Sequence, residues 1–342
     1  MPHGTFARFI WPSFLAMILF IALPIVSVAM QSFFVEHEQV MREVENCGPF
    51  TCTTVLQVDV EATDALKADA PLGRYNGLGT YTNRGHLAFD EVSEIWAASE
   101  SFGGFIAGVY NLPFYKALFF TLAYTFVVTP LVIVLGLLIA LGVNRLPKVT
   151  KGPTIFASLL PMIVTPLIGG LILFWMVDAD GIIGATLQII FDDPDLSLKA
   201  SAPLTWIMLM VYGVWHSTPF AFVVFYAGLQ TVPTDTLEAA KIDGASRFQQ
   251  VRYVIVPYMM PLLVFITLMQ LMDNFRVLEP IVSFSAEAKA RSLSWIIYND
   301  LSGQDKLFGS AAATSMLTIF GVAILLTPVL IKTWRDFNRR AV

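Results

Sequence analysis

Apolar runs of about 20 residues recur along this chain, each long enough to cross a hydrocarbon layer roughly 30 Å thick. They cover approximately residues 9–34, 115–143, 154–177, 204–229, 259–282 and 309–332. Backbone polar groups in lipid must be satisfied within their own segment, so such runs cross as helices. Composition agrees: 56% of the 342 residues are hydrophobic and 14% are charged, against roughly 45–50% and 25% in soluble domains. The expected fold class is an all-α polytopic membrane protein with six transmembrane helices. Ser27-Val28-Ala29 loosely resembles the cleavage site of a secretory leader. The first run is longer than the roughly 7–15 apolar residues of a leader, and its basic flank is weak, which favours a retained span.

Lysine and arginine sort the loops onto two sides. Arg8 precedes the first run, and Arg145, Lys148 and Lys151 follow the second. Lys241, Arg247 and Arg252 follow the fourth; Lys332, Arg335, Arg339 and Arg340 close the chain. The loop 178–203 instead holds Asp178, Asp180, Asp192, Asp193 and Asp195 against Lys199. Both termini are therefore expected on the cytoplasmic side. The net charge of −5 comes from the outer loops and argues against a nucleic-acid partner. The expected organisation is a first transmembrane helix in 1–34, a periplasmic loop over 35–114, and a core of five transmembrane helices over 115–342. That core contains a cytoplasmic loop at 230–258.

The periplasmic loop is acidic and thin in apolar residues, suiting either a partly ordered lid or a docking surface for an outer partner. The run from Thr51 to Val60 is compatible with a strand, and Pro71-Leu72-Gly73, Asn76-Gly77 and Gly79 signal turns. The two cysteines of the chain, Cys47 and Cys52, both fall here. Either they bridge in an oxidising compartment or they are unpaired thiols, since spacing does not establish geometry.

The loop 230–258 carries two helix starts. Asp235 with Glu238 is a capping-box-like pair opening a helix to about Ile242, and Ser246 with Gln249 repeats it. Gly244 between them suits a turn with positive φ. Phe248, Val251 and Ile255 share one helical face, while Pro257 and Pro261 mark the return to the membrane. A helix–turn–helix knob of this kind fits docking of a partner or contact with lipid headgroups equally well.

Residue by residue, Glu238-Ala239-Ala240, Gly244 and Pro257 resemble the EAA signature of ATP-binding-cassette importer permeases. Val254 and Val256 stand where that pattern usually has isoleucine and leucine, which keeps the apolar character. Trp215-His216-Ser217-Thr218-Pro219-Phe220, and Gly303-Gln304-Asp305 leading into Phe308-Gly309-Ser310-Ala311-Ala312, are similar to the family's carbohydrate-type members. The larger membrane subunit of maltose importers is one of these, and the likeness spans about residues 110–342. The resemblance implies a non-enzymatic pore subunit paired with a second permease, two cytoplasmic ATPase subunits and a periplasmic solute-binding protein delivering a sugar. It places Glu238, Ala239, Ala240, Asp243, Gly244, Phe248 and Pro257 at the ATPase contact. The chain lacks G-x-x-x-x-G-K-[ST], so no cofactor is expected in it, and ATP with magnesium would bind the partner ATPase.

Polar residues within spans are costly and usually face the bundle interior. Gly213, His216, Ser217 and Phe220 recur on one face of the fourth span, and Thr267, Gln270, Leu271 and Asn274 repeat that spacing on the fifth. The resemblance aligns both faces with sugar-holding positions, although His216 and Leu271 depart from the maltose-type residues. An aromatic ring with amide and hydroxyl groups suits a polyhydroxylated ligand. Each residue has a plainer role too: His216 as a neutral histidine bonded to a carbonyl, Gln270 and Asn274 as links between helices. Asp273, Arg276 and Glu279 suit an ion-pair network or a sister-subunit contact, and Arg276 would also suit an anionic sugar derivative. An ion-coupled secondary transporter using Asp273 and Glu279 is the alternative. The absence of evident inverted repeats or interrupted helices in the sequence speaks against it. No H-E-x-x-H or G-x-S-x-G supports an intramembrane enzyme.

Overall fold

The computed structural model describes residues 2–47, 52–303 and 306–340. Gln304 and Asp305, and the side chains of Cys47 and Cys52, lie outside the described residues. The chain forms two compact units, Met1–Lys116 with Ile296–Ile319, and Ala117–Trp295 with Phe320–Val342.

The first unit begins with α1 (Pro2–Met17), a π turn (Ile18–Ala22) and α2 (Leu23–Gln31), joined as one apolar rod. Phe9, Trp11 and Phe20 on this rod are exposed, as suits a surface meant for lipid. Two small antiparallel pairs follow, β1 (Phe34–Val35) with β4 (Arg74–Tyr75) and β2 (Met41–Cys47) with β3 (Cys52–Val58). They correct the all-α expectation. The β-branched run of β3 lies where a strand was expected, and Cys47 and Cys52 face each other in the backbone register. Around these lie α3 (Val60–Asp69), α4 (Gly79–Thr82), α5 (Phe89–Ala98) and α6 (Phe102–Tyr110). Asp59 caps α3, its side chain accepting from Ala62 N at 3.1 Å.

Polar contacts supply what the acidic loop lacks in apolar core. The Glu36 carboxylate accepts from Gly309 N at 2.6 Å, and Ser310 Oγ donates to Asp300 Oδ2 at 2.6 Å. His86 is buried, its ring nitrogens bonded to Asn83 Oδ1 at 2.9 Å and Thr314 Oγ1 at 3.0 Å. Burial pushes the His86 imidazole below its ordinary value and pushes the Asp300 carboxyl up. As pH falls through about 6.5 the unfolded chain protonates His86 while the folded chain resists, so stability is lost on acidification. The raised Asp300 acts in the opposite sense, gaining stability as pH falls, but only toward the lower carboxylate range. Hydrogen exchange of α4 and α5, corrected for intrinsic rates, is expected to quicken from about pH 7.5 to about 5.5. A His86→Gln variant should lose that dependence; an unchanged profile in the two proteins would refute the assignment.

The second unit takes in most of α7 (Pro113–Asn144), then α8 (Lys148–Ile163), α9 (Pro166–Met176), α10 (Ile182–Phe191) and α11 (Ala202–Leu229). After these come α12 (Thr234–Ile242), α13 (Arg247–Gln250), a π turn (Val251–Ile255), α14 (Val256–Tyr258), α15 (Met260–Phe275) and α16 (Glu279–Ser283). The chain ends with α17 (Leu293–Ser302) and α18 (Phe308–Arg340). Phe120, Val128, Leu209, Phe222, Phe225, Ile266 and Ile281 form part of the buried core of this unit.

Among the described residues, four helices are long and apolar enough to cross a membrane, or up to six if each of two bent pairs counts as one span. Those pairs are α8 with α9, bent by 92°, and Arg247–Tyr258 with α15, bent by 72°. They correct the expectation of uninterrupted helices. At the first bend Pro166 opens α9, and Thr165 before it is extended at φ −63° and ψ 146°, the conformation a following proline favours. Beyond the bend, α9 lies close on its neighbours through Gly169 and Gly170. A Cβ on Gly169 would overlap the Tyr212 hydroxyl, and one on Gly170 would overlap Ser283 Oγ. The fifth apolar run also ends early, at Phe275 rather than 282, because Pro280 cannot continue the helix past the carbonyl of Arg276.

Candidate functional site

A cavity of about 480 Å³ opens among α8, α9, α11, α15 and α16. From α11 it is lined by Gly213, His216, Ser217 and Phe220, and from α15 by Gln270 and Asn274. These are six of the eight residues the helical spacing selects. Thr267 and Leu271 are not among the lining residues: Thr267 Oγ1 donates to Leu263 O at 2.7 Å on its own helix, and Leu271 is buried. Asp273 lines it from α15, and the chain beyond Phe275 brings Arg276 and Glu279 in beside it; Arg276 and Asp273 form an ion pair, one of the roles the sequence suggested. Tyr124 and Tyr212, not singled out in the sequence, also face it. Tyr212 carried a usable signal, standing one turn before His216 on the same face. Tyr124 carried none, being one aromatic in a long apolar run.

Two of these side chains hold the α8–α9 break. His216 Nε2 lies 3.1 Å from Val164 O, and the Tyr212 hydroxyl donates to Pro166 O at 3.0 Å. A carbonyl only accepts, so Nε2 is the donor, and the bond to a neighbouring carbonyl is the contact that the plainer reading of His216 expects. Helix breaks are tolerated at membrane depth when the freed carbonyls find such partners or line a cavity. Across the floor Asn274 Nδ2 donates to Thr129 Oγ1 at 3.0 Å and Gln270 Oε1 at 3.3 Å. Both amides are almost fully buried, so they link helices while forming part of the wall.

The second constellation is the knob from α12 to α14. Gly244 has φ +78°, and Gly244 N donates to Lys241 O at 3.0 Å while Ala245 N donates to Ala240 O at 2.9 Å. That pair of bonds is a Schellman stop for α12. The second capping box is present, with Ser246 N to Gln249 Oε1 at 2.7 Å and Gln249 N to Ser246 Oγ at 3.3 Å. The first is not: α12 starts after Pro233 without a side-chain cap, and Asp235 sits inside its first turn. The π turn also splits the expected apolar face, since its wider spiral sends Ile255 into the core and leaves Phe248 exposed. Glu238, Ile242, Phe248 and Tyr253 all lie open on the surface. Ala239, Asp243 and Pro257 are exposed beside them, and Ala240 is half-buried.

Residues 101–334, which contain the cavity and the knob, match the family described as binding-protein-dependent transport system inner membrane component. The chain belongs to this family. A probable ABC transporter permease of Pyrococcus horikoshii is 32% identical over 171 residues, covering 49% of this chain and 58% of that protein. The trehalose/maltose transport system permease MalF of Thermococcus litoralis is 28% identical over 233 residues, 65% of this chain and 75% of its own length. The first of these alignments spans less than two thirds of the relative. A chain from a bacterial ABC transporter involved in import of the acidic polysaccharide alginate shares the fold, with a TM-score of 0.64, 17% identity and 99% of both chains covered.

Every expected coupling and pathway residue of the chain falls within the matched segment, whereas Cys47 and Cys52 lie before it. The broken helices remove one argument raised against an ion-coupled carrier. Membership of a binding-protein-dependent transport family stands in its place.

Proposed function

We propose that this inner membrane component is the permease subunit of an ATP-driven importer for a sugar or sugar derivative. Residues 1–34 serve as the first span, 35–114 as a periplasmic loop and 115–342 as the core, with both termini in the cytoplasm. The subunit supplies half of the pore beside a second permease and is not itself an enzyme. A periplasmic solute-binding protein delivers the solute, and two ATPase subunits hold ATP and magnesium. The observation that carries this reading is the knob around Glu238. Its turn is held by the Schellman stop of α12 and the capping box of α13, and it presents Ile242, Phe248 and Tyr253 to the outside. Ordered apolar side chains on a polar tip fit a protein partner whose movement must be transmitted. The relatives named for trehalose and maltose transport support a sugar as solute, as do the aromatic and amide groups of the cavity.

The test is reconstitution of the chain with its cognate permease, ATPase and binding protein in proteoliposomes. Uptake of labelled disaccharide is expected only with internal and external components in place and ATP on the ATPase side. Uptake by the chain alone under an ion gradient, without ATP, would replace this reading with the secondary-transporter one.

A further inference from the structure

The cavity has an unbalanced charge. Two carboxylates, Asp273 and Glu279, and one guanidinium, Arg276, line it. Arg276 is already engaged: one terminal nitrogen pairs with Asp273 Oδ1 at 3.0 Å, and Nε donates to Met272 O at 3.3 Å. Glu279 enters none of the ion pairs or side-chain hydrogen bonds among the described residues. His216 donates through Nε2 to Val164 O, so that N–H is not available to a solute. The rest of the lining carries no charged carboxylate, ammonium or guanidinium group, and it includes the phenols of Tyr124 and Tyr212 and the polar side chains of Ser217, Gln270 and Asn274. The unpaired charge in the lining is thus a single carboxylate, a setting that attracts cations and repels anions.

Resting on the proposed importer reading, we infer that Glu279 sets the charge selectivity of the pore. The cavity takes saccharides that present an ammonium group to Glu279, takes neutral ones less well, and rejects those bearing a carboxylate. The carboxylate pairs with the ammonium, accepts hydrogen bonds from vicinal hydroxyls, and repels a uronate. Arg276, held by Asp273, does not rescue the anion. This reverses the anionic-sugar role that Arg276 suggested from sequence.

The test uses the assembled transporter in lipid nanodiscs without its binding protein, so that the periplasmic component does not filter the ligands. Titration calorimetry would compare β-linked disaccharides of glucosamine, glucose and glucuronate. Affinity is expected to fall by about tenfold at each step in that order, each tenfold being ~1.4 kcal/mol. Glu279→Gln should bring the three within about threefold of each other, a spread of under ~1 kcal/mol. Glu279→Asp should keep the order, and Asp180→Asn, an exposed charge in the outer loop, should leave it untouched. Equal affinities in the unaltered transporter, tighter glucuronate binding, or an order that survives Glu279→Gln would each overturn the inference while leaving sugar import intact. Binding of none of the three would overturn both it and the cavity's assignment to the solute path.

Discussion

Gly244→Pro is expected to reduce ATP-dependent uptake by more than about tenfold in the reconstituted transporter, leaving the helical bundle folded. Gly244 holds φ +78°, a value that proline, locked near about −65°, does not reach. The substitution also deletes the N–H that donates to Lys241 O, so the Schellman stop loses its geometry and one of its bonds. Nothing lies within 4 Å of where a Cβ would stand, so the damage stays in the backbone of the knob. ATP hydrolysis is expected to persist but no longer to respond to added sugar, because the lever between α12 and α13 changes angle. Gly244→Ala should fall between, since a left-handed alanine costs only about 1–2 kcal/mol and keeps the N–H. Uptake, ATPase rate and thermal melting followed by circular dichroism separate these effects. Full uptake in Gly244→Pro would remove the lever from the mechanism.

The second large effect is expected at the α8–α9 break. Replacing Tyr212 by Phe and His216 by Leu together deletes both donors that meet Pro166 O and Val164 O. Hydrogen bonds between membrane helices contribute about 0.6–2 kcal/mol each; Val164 O lies beyond the end of α8 and loses a needed partner, whereas Pro166 O keeps its place in the first turn of α9. Each single variant is therefore expected to lose about 1–2 kcal/mol of stability, and the double variant about 1.5–3, less than the sum. The two changes share one break, so their effects should not add. Denaturation in mixed detergent micelles would measure this. A double variant as stable as the parent would mean that water or lipid headgroups satisfy those carbonyls instead.

Different features of this protein were legible at different depths. The membrane class follows from run length alone, because a lipid layer demands about 20 apolar residues per crossing whatever surrounds them. The turn at Gly244 and the Ser246–Gln249 box were legible for a related reason: caps and positive-φ stops close within a few residues and need no distant partner. Gly213, His216, Ser217 and Phe220 were found because α11 runs unbroken through them, so a spacing of three and four residues keeps its meaning.

That reasoning failed where the helix itself changed pitch or direction. Phe248 and Ile255 part company across a π turn. Thr267 and Leu271 fall outside the cavity for another reason: α15 runs unbroken through them, but which part of its face is left open depends on the helices packed against it. Prolines at 166, 261 and 280 were visible in the chain, but a proline announces a break without stating its angle or which carbonyls it frees. The directions of α9 and α16, the donation from Tyr212 and His216 to the opened backbone, and the isolation of Glu279 beside an already occupied Arg276 all depend on segments far apart in the chain. Lipid length and local capping are properties of short stretches, readable residue by residue. The charge inside the cavity is a property of packing, and it exists only once the bent helices have met.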